Sequence, residues 1–291
     1  MAANNVKIAI NRMTPYIGAE ISGIDLSQPL APEEFEVVNK ALMDNLVIFF
    51  RDQTISREQQ LNFGRLFGKL HVHPAATAAK TENGKEVRPY VFTEKEYPEI
   101  LVIHADENSK RVAGENWHSD VSCDAEPPMG SILHLTEVPS LGGDTLFASM
   151  YAAYDALSEP MKQFLAKLTA IHDGEKIFRQ RFNEAGKTYP RNEHPIVRTH
   201  PVTKKKALYV NREFTLEIPQ LDKKESDALL QFLYSHCENE RFQCRFHWQK
   251  NSIAFWDNRC AQHRAMFDYF PLRRYGHRVT VKGDRPFLSH E

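Results

Sequence analysis

The sequence predicts a mixed but β-rich fold, a sandwich or jelly roll with helices flanking it and inserted between its strands. Three observations carry this prediction. Many short segments are rich in β-branched and aromatic residues and are bounded by turn residues. Residues 242–248 alternate apolar with polar side chains, as in a strand with one buried face. Helical patterns are scattered among these segments, which is typical of decorated β architectures.

Each element is assigned from its local pattern. Strands are predicted over residues 7–10, 21–26, 46–50, 99–105, 129–138, 144–149, 253–256 and 275–282, and a hairpin over residues 195–211. Helices are predicted over residues 32–45, as a pair between 150 and 169, and over residues 221–239. Ser56 and Gln59 have capping-box spacing and open another helix, predicted to end at Gly68. Residues 77–98 are polar and charged and predict a long loop.

Length and composition limit the classes of function. A chain of 291 residues is long for one domain, but β-rich domains reach this size, so a single domain over residues 1–291 is expected. The formal net charge of −1 gives no basic field for nucleic acid. The apolar runs are too short to span a membrane. We therefore expect neither nucleic acid nor a membrane as a partner.

The four cysteines favour a reducing compartment. Cys123, Cys237, Cys244 and Cys260 form no C-x-x-C pair, so a zinc ribbon or a redox motif is not expected. The N-terminus has no apolar stretch of the kind found in signal peptides. Free thiols and a cytoplasmic location are the simplest expectation.

Three His-x-acid triplets could each supply two ligands of a metal. They are His104-Ala-Asp106, His118-Ser-Asp120 and His236-Cys-Glu238. About two such triplets are expected by chance from 13 histidines and 38 acidic residues, so context must select among them. His236 lies at the end of a predicted helix, where positions i and i+2 point apart. The first triplet is at a charged strand end. The second, His118–Asp120, lies in an extended turn before an apolar strand and is the best candidate.

Two arginines in the last predicted strand form a second constellation. Arg274 and Arg278 share one strand face because side chains alternate, and Gly276 between them is interpreted as leaving a gap between the guanidinium groups. Arginine binds carboxylate or sulfonate groups bidentately and stays charged near neutral pH. An exposed strand would also tolerate both residues. With His263 nearby, the pair predicts a site for one dianion or for two anions.

Other motifs are less specific. The "GGDT" segment, residues 142–145, is compatible with a hairpin turn and lacks the lysine of a phosphate loop. No G-x-S-x-G occurs, so a serine hydrolase elbow is not supported.

Taken together, these motifs resemble the taurine dioxygenase (TauD/TfdA) family of Fe(II)- and 2-oxoglutarate-dependent oxygenases. The resemblance runs over nearly the whole chain. The segments that carry it stand in family order: "PYIGAEISGIDLSQPL", "FRDQTIS", "FGKLHVHP", "NWHSDVS", "PSLGGDTLFAS", "HPIVRTHPVTKKKALYVN" and "WDNRCAQHRAMFDY" with "RRYGHRVTVKGDRP". An ordered series of this kind is far more specific than any single triplet.

The resemblance implies a double-stranded β-helix, that is, a cupin-like jelly roll, and it assigns cofactors. His118, Asp120 and His263 are expected to bind Fe(II). Thr145 and Arg274 are expected to bind the distal carboxylate of 2-oxoglutarate. Molecular oxygen is the other co-substrate. The family resemblance also implies a homo-oligomer, a dimer or a tetramer.

The resemblance also implies the substrate side of the site. Arg278 and His73 are expected beside the anionic group of a small organic substrate, together with the backbone at Val121. Phe178 and Phe214 match positions that line the pocket in the family. The implied reaction is hydroxylation of the carbon next to the anionic or ether group. A sulfonate would then break down to sulfite and an aldehyde.

The sequence departs from the taurine-specific pattern near the substrate. Ala75 and Ala76 stand where such members have an aromatic residue, "VAGEN" precedes Trp117, and the 77–98 loop is longer. A wider pocket follows, which favours a larger alkyl- or arylsulfonate, a sulfate ester or an aryloxyalkanoate alongside taurine. Two other classes stay open at this point: a zinc-dependent hydrolase that uses the same histidines, and a jelly-roll binding protein without catalysis.

Overall fold

The computed structural model describes residues 7–73, 80–82, 85–87, 91–94, 96–182 and 186–289. The strands are β1 (Ala9–Arg12), β2 (Ala19–Ser22), β3 (Val47–Phe50), β4 (Lys80–Glu82), β5 (Lys85–Val87), β6 (Val91–Thr93), β7 (Ile100–Ala105), β8 (Gly130–Glu137), β9 (Thr145–Ser149), β10 (Thr169–Asp173), β11 (Arg191–Pro195), β12 (Val197–Thr199), β13 (Lys206–Leu208), β14 (Thr215–Glu217), β15 (Gln243–Phe246), β16 (Ser252–Asp257), β17 (Ala261–Ala265) and β18 (Arg274–Val281). The α-helices are α1 (Pro32–Asn45), α2 (Arg57–Arg65), α3 (Met150–Asp155), α4 (Glu159–Leu165), α5 (Glu175–Phe182) and α6 (Lys223–Cys237).

One large sheet organises the chain. Within the described ranges it has eight strands in the order β1-β2-β3-β16-β8-β18-β7-β6. Only β2 and β3 pair in parallel, while the other neighbours are antiparallel. The central strands β3 and β16 are buried along their whole length, which explains why their sequences, "VIFF" and "SIAFWD", are almost continuously apolar.

A three-stranded sheet packs on one face of the large sheet. Its order is β15-β9-β17. The ring of Phe246 in β15 stacks on Phe49 of β3 with centroids 3.9 Å apart, and Phe147 of β9 contacts Trp256 of β16 at 5.7 Å. These aromatic side chains are fully buried, and each contributes about 1.5–3 kcal/mol by leaving water. The core between the two sheets thus fixes the strands that border the functional pocket.

The helices cover the remaining apolar faces. Helices α1 and α2 contribute Leu42 and Phe63 to a second core on the opposite face of the large sheet, around Phe50 and Phe255. Helices α3 and α6 and the β12–β13 hairpin contribute to the core that holds the small sheet. No helix in the described part of the chain combines the length and apolar character that a membrane crossing requires.

Several element predictions are confirmed. Helix α1 spans residues 32–45 as predicted, and the 195–211 hairpin is present as antiparallel β12 and β13. At the start of α2, Gln59 N–H donates to Ser56 Oγ and Ser56 N–H donates to Gln59 Oε1, which is the reciprocal capping box. The four cysteines are free and buried.

Other predictions were wrong. Helix α2 ends at Arg65 and not at Gly68. The 77–98 segment was predicted as loop but contains β4, β5 and β6, while its residues 77–79, 83–84, 88–90 and 95 lie outside the described part. Strands β10, β11, β14 and β17 and helix α5 were not predicted. The omission of β17 matters because that strand carries His263.

Gly276 has a different role from the one its position between two arginines indicated. A Cβ atom at residue 276 would lie 2.2 Å from the carbonyl oxygen of His134 in β8, and Gly276 does not line the pocket. The register of β18 against β8 also shifts between Tyr275 and Gly276. The glycine therefore permits close approach of two backbones at a sheet irregularity.

Gly276→Ala is expected to lower the free energy of unfolding by roughly 3 kcal/mol, the upper end of the usual cost of overpacking. The cost is high because the new Cβ atom would collide with a backbone atom, the carbonyl oxygen of His134, which cannot move aside easily. Urea unfolding measures the effect. Gly186→Ala is the control: no atom lies within 4 Å, but its φ of +76° leaves a backbone cost of about 1–2 kcal/mol. Equal stability of the two variants would contradict a steric clash between a side chain at residue 276 and the backbone of His134.

Candidate active site

All ten residues that the family resemblance assigns to the site line one pocket between the two packed sheets. They are His73, His118, Asp120, Val121, Thr145, Phe178, Phe214, His263, Arg274 and Arg278. The large sheet supplies Arg274 and Arg278 from β18, and the small sheet supplies Thr145 from β9 and His263 from β17. The pocket combines charged and polar side chains with apolar ones, as small-molecule sites do.

Two histidines and one aspartate converge at this pocket. His118 and His263 form an isolated antiparallel bridge in which each backbone N–H donates to the other residue's carbonyl, at 3.1 and 2.9 Å. Nε2 of His118 lies 3.7 Å from Asp120 Oδ1, and Nε2 of His263 lies 4.0 Å from Asp120 Oδ2. The three ligand atoms lie within 4.8 Å of one another. Protein ligands bind transition-metal ions at about 2 Å, so one metal ion could contact all three ligand atoms.

The hydrogen bonds and charges around these three side chains favour the binding of a cation. Nδ1 of His118 donates to the carbonyl of Asn116 at 2.8 Å, which leaves the Nε2 lone pair free. Burial and the neighbouring His118 lower the pKa of His263 well below its usual value, so its imidazole is neutral. Burial alone would raise the pKa of Asp120, but Arg278, His263 and His118 outweigh it and hold that pKa well below its ordinary value.

Asp120 is held in place by residues that the sequence did not reveal. Ser131 Oγ in β8 donates to Asp120 Oδ2 at 2.8 Å, and Asn258 Nδ2 donates to Ser131 Oγ at 3.1 Å. Asn258 Oδ1 accepts from the backbone N–H of Asp120 at 3.2 Å and from Trp256 Nε1 at 3.0 Å. The only signal for Asn258 was its place in the "WDNR" segment, while nothing marked Ser131.

The residue after Asp120 has an unusual backbone. Val121 adopts a φ of +46°, in the left-handed region that β-branched residues avoid. Strain of this kind costs about 1–3 kcal/mol and persists only where surrounding contacts enforce it. Here the turn that it allows places Asp120 and Val121 side by side on the pocket wall.

The two arginines of β18 face the same pocket, as their spacing predicted. Arg278 NH1 donates to Asp120 Oδ1 at 2.7 Å. Arg274 is 4% exposed, and its Nε is buried without a hydrogen-bond partner in the described part of the chain. Burial lowers the pKa of Arg274, against the opposing effect of Tyr269, but the group stays charged. A buried guanidinium that faces a pocket has strong capacity for an anion.

The opposite wall of the pocket is apolar and aromatic. Phe178 from α5 packs against Phe214 with ring centroids 5.8 Å apart, and His73 contacts Phe178 edge to face at 5.4 Å. Val121 belongs to the same cluster. This wall presents rings and methyl groups to the pocket, and Arg278 also lines it.

The other two His-x-acid triplets lie elsewhere. His236 Nε2 bonds to the carbonyl of Ala153 at 2.7 Å inside the helical layer. His104 is in β7, and neither it nor Asp106 lines the pocket. Among the described residues, His118–Asp120 is the one triplet of the three that lines the pocket.

A second group of metal-ligand types surrounds Asp257. The guanidinium of Arg259 and Nε2 of His200 already bond to its carboxylate. Nδ1 of His200 accepts two backbone N–H bonds from the following turn, so its Nε2 carries the proton. Burial raises the pKa of the Cys260 thiol well above its normal value. These residues form a structural clamp with no free ligand atom for an ion.

Comparisons with known proteins give one consistent answer. Residues 9–280 match the family described as "Taurine catabolism dioxygenase TauD, TfdA family". An α-ketoglutarate-dependent sulfonate dioxygenase of Saccharomyces cerevisiae is 35% identical and the match covers 100% of this chain and 72% of that protein. An α-ketoglutarate-dependent sulfate ester dioxygenase of Pseudomonas putida is 30% identical over 98% of this chain and 93% of that one.

Solved structures agree in fold. A taurine dioxygenase from Burkholderia xenovorans superposes with a TM-score of 0.80 at 31% identity, covering 97% of this chain and 93% of that chain. AAD-2 in complex with Mn(II) and N-oxalylglycine gives a TM-score of 0.77 at 29% identity, covering 97% and 100%. The chain therefore belongs to the taurine catabolism dioxygenase TauD, TfdA family.

Proposed function

We propose that the protein is an Fe(II)- and 2-oxoglutarate-dependent dioxygenase that oxidises a small organic anion, most directly a sulfonate. One observation carries this proposal: a two-histidine, one-carboxylate cluster shares a pocket with two inward-facing arginines. Such a cluster leaves one face of Fe(II) open for exchangeable ligands. The two arginines provide for two anions, a co-substrate and a substrate.

The chain's own residues fit the cofactors. His118, Asp120 and His263 would hold Fe(II), which with 2-oxoglutarate and O2 supplies the oxidising chemistry. Arg274 and Thr145 would hold the distal carboxylate of 2-oxoglutarate. The guanidinium of Arg274 and the hydroxyl of Thr145 are both buried, and they would fix the orientation of that molecule because a charge-assisted hydrogen bond gains strength away from water.

The substrate would lie between Arg278 and the aromatic wall. Arg278 and His73 would face its anionic group, and the backbone at Val121 is close by. Phe178 and Phe214 would pack on its organic part and keep water out. The C–H bond next to the anionic group would then be held near the metal, and placement is the main contribution of the protein. Hydroxylation there makes a sulfonate collapse to sulfite and an aldehyde.

A sulfate ester is the second candidate substrate. The Pseudomonas putida relative is named for that substrate class and the yeast relative for sulfonates. Both groups present the same three oxygens to Arg278. A zinc-dependent hydrolase would leave the buried Arg274 and Thr145 without a role. A non-catalytic binding protein would not need the cluster of His118, Asp120 and His263.

The fold supports the same proposal at a finer level. We propose that the eight-stranded sheet and the three-stranded sheet are the two faces of a double-stranded β-helix. The support is that they enclose a common aromatic core and that the pocket lies between them. The single domain, the cytoplasmic location and the homo-oligomer stay predictions from the sequence.

The proposal is tested without oxygen and then with it. Purified protein with Fe(II) and 2-oxoglutarate is scanned anaerobically for the weak visible charge-transfer band of the chelate. Taurine, longer alkylsulfonates, arylsulfonates, alkyl sulfates and aryloxyalkanoates are then added in turn. With oxygen, succinate and sulfite are measured. A band with sulfite release from one sulfonate is expected, and turnover of no organic anion would refute the substrate proposal.

Removal of the hydroxyl that orients Asp120 should weaken the metal site. Ser131→Ala is expected to lower Fe(II) affinity about 10- to 100-fold, the usual effect of losing a group that positions a metal ligand. Equilibrium dialysis with Fe(II) or Mn(II) measures it directly. Ser235→Ala is the control, because that hydroxyl bonds only within α6 at an exposed position. An unchanged metal affinity in Ser131→Ala would show that Asp120 needs no such support.

A further inference from the structure

One indole contacts both groups that are proposed to hold the co-substrate carboxylate. Trp248 Nε1 donates to Thr145 Oγ1 at 2.9 Å in a buried environment. The guanidinium carbon of Arg274 lies 5.7 Å from the centroid of the same indole. We infer that Trp248 is a positioning residue that sets the specificity of this enzyme for a dicarboxylic 2-oxo acid. The inference rests on the proposed function and adds a residue that does not line the pocket.

The hydrogen bond to Thr145 determines what that hydroxyl can bind. A hydroxyl has one proton to donate and two lone pairs that accept. The indole N–H, which can only donate, occupies one lone pair. The hydroxyl proton finds no acceptor in the described part of the structure, and Thr145 lines the pocket. Trp248 thereby turns Thr145 into a donor toward the pocket, which is the polarity that a carboxylate oxygen needs.

The face of the indole acts on Arg274. A guanidinium over an aromatic face is attracted by the ring quadrupole and keeps its charge without a counter-ion. The indole is fixed in turn by Phe246, which meets it edge to face at 5.0 Å and stacks on Phe49. Arg274 thus rests on the rigid core between the sheets. Its Nε, buried and unpartnered among the described residues, keeps donor capacity for a second anion oxygen.

A purely structural role for Trp248 makes a different prediction. In that case Thr145 would only satisfy a buried indole N–H, and loss of the indole would disturb the whole pocket. Binding of every 2-oxo acid would then weaken alike. The inferred role concerns only the distal carboxylate. It predicts a loss for 2-oxoglutarate and none for 2-oxopentanoate, which has the same chain length and the same chelating end but no distal carboxylate.

The experiment compares the two acids by calorimetry on the Mn(II)-loaded full chain, with wild type, Trp248→Phe and Phe242→Leu. Phe242 is buried in the same core but lies outside the pocket, so Phe242→Leu is the control for loosened packing. Trp248→Phe is expected to bind 2-oxoglutarate about 3- to 10-fold more weakly, the effect of one lost hydrogen bond, with 2-oxopentanoate unchanged. Equal weakening of both acids, or of neither, would overturn the inference. A wild type that binds 2-oxoglutarate no better than 2-oxopentanoate would overturn the proposed function itself.

A double-mutant cycle shows whether Trp248 acts through Thr145. Thr145→Val removes the hydroxyl and is expected to weaken 2-oxoglutarate binding at least about tenfold. If the indole works by orienting that hydroxyl, Trp248→Phe should add little in the Thr145→Val background. Fully additive losses would contradict the inference. Trp248→Leu, which also lacks a hydrogen-bond donor, provides the same comparison if the phenylalanine variant fails to fold.

Discussion

An Asp120→Ala variant is expected to lose metal binding and turnover by at least about a hundredfold each. Groups that merely position a metal ligand already cost about 10- to 100-fold when removed, so a direct ligand should cost more. The carboxylate of Asp120 is buried, and its pKa, which burial would raise, is held well below normal by Arg278 and the two histidines. It is therefore ionised near neutral pH and ready to bind a cation. Metal content after dialysis and succinate formation are the two measurements.

The controls separate a lost ligand from a damaged fold. Removal of the carboxylate also leaves the mostly buried Arg278 without its partner, so Asp120→Asn, which keeps the shape, is made in parallel. Asp106→Ala is the matched control, because Asp106 belongs to a His-x-acid triplet that lies outside the pocket. It should keep full metal affinity. Metal binding retained in both Asp120 variants would refute the assignment of the metal site.

Arg274→Ala should raise the dissociation constant of 2-oxoglutarate about thirtyfold or more. Truncation of one partner in a buried charge pair costs about 2–5 kcal/mol, and about 1.4 kcal/mol corresponds to a tenfold change. Arg274 is 4% exposed, so solvent ions screen its charge only weakly from an anion bound beside it. Titration of the anaerobic Fe(II) protein, followed by the visible band, gives the constant. Arg274→Lys should recover only part of the loss, because an ammonium does not match a carboxylate bidentately.

The neighbouring arginines allow a test of the division of labour. Arg273→Ala removes a side chain that is 63% exposed and paired with Glu137, so its effect on 2-oxoglutarate should be negligible. Arg278→Ala should weaken the binding of the substrate anion and leave the binding of 2-oxoglutarate nearly intact. If each of Arg274→Ala and Arg278→Ala weakened the binding of 2-oxoglutarate and of the substrate equally, the two arginines would form one anion site. Their assignment to two different ligands would then be wrong.

Local sequence rules bring the candidate site residues together more accurately than they place the strands and helices around them. His118 and Asp120 were selected because an extended turn before an apolar strand brings i and i+2 together. Arg274 and Arg278 were paired by the two-residue period of a strand. These are local rules, and the residues they joined do line one pocket.

Contacts between distant segments could not be predicted. Strand β17 was missed because its buried positions include His263, which breaks the apolar alternation that marks a strand. Strand β11, "RNEHP", was missed for a similar reason, because its one buried position is the polar residue His194. Gly276 was assigned to the space between two side chains, whereas the constraint comes from the His134 backbone in another strand. Ser131 bonds to Asp120 across a turn and to Asn258 in a distant segment, and Trp248 bonds to the distant Thr145, so no local sequence pattern marks either residue.

The backbone bridge between His118 and His263 determines when the site can form during synthesis of the chain. The two residues are separated by about half of the chain, and each holds the other's backbone in register. While His263 is still unmade on the ribosome, the nascent chain offers only His118 and Asp120, without the partner that aligns them. The proposed three-ligand site is therefore expected to form only after β17 has been synthesised and has paired with the segment around His118. Metal loading would then follow the folding of both sheets and would not occur on the segment around His118 alone.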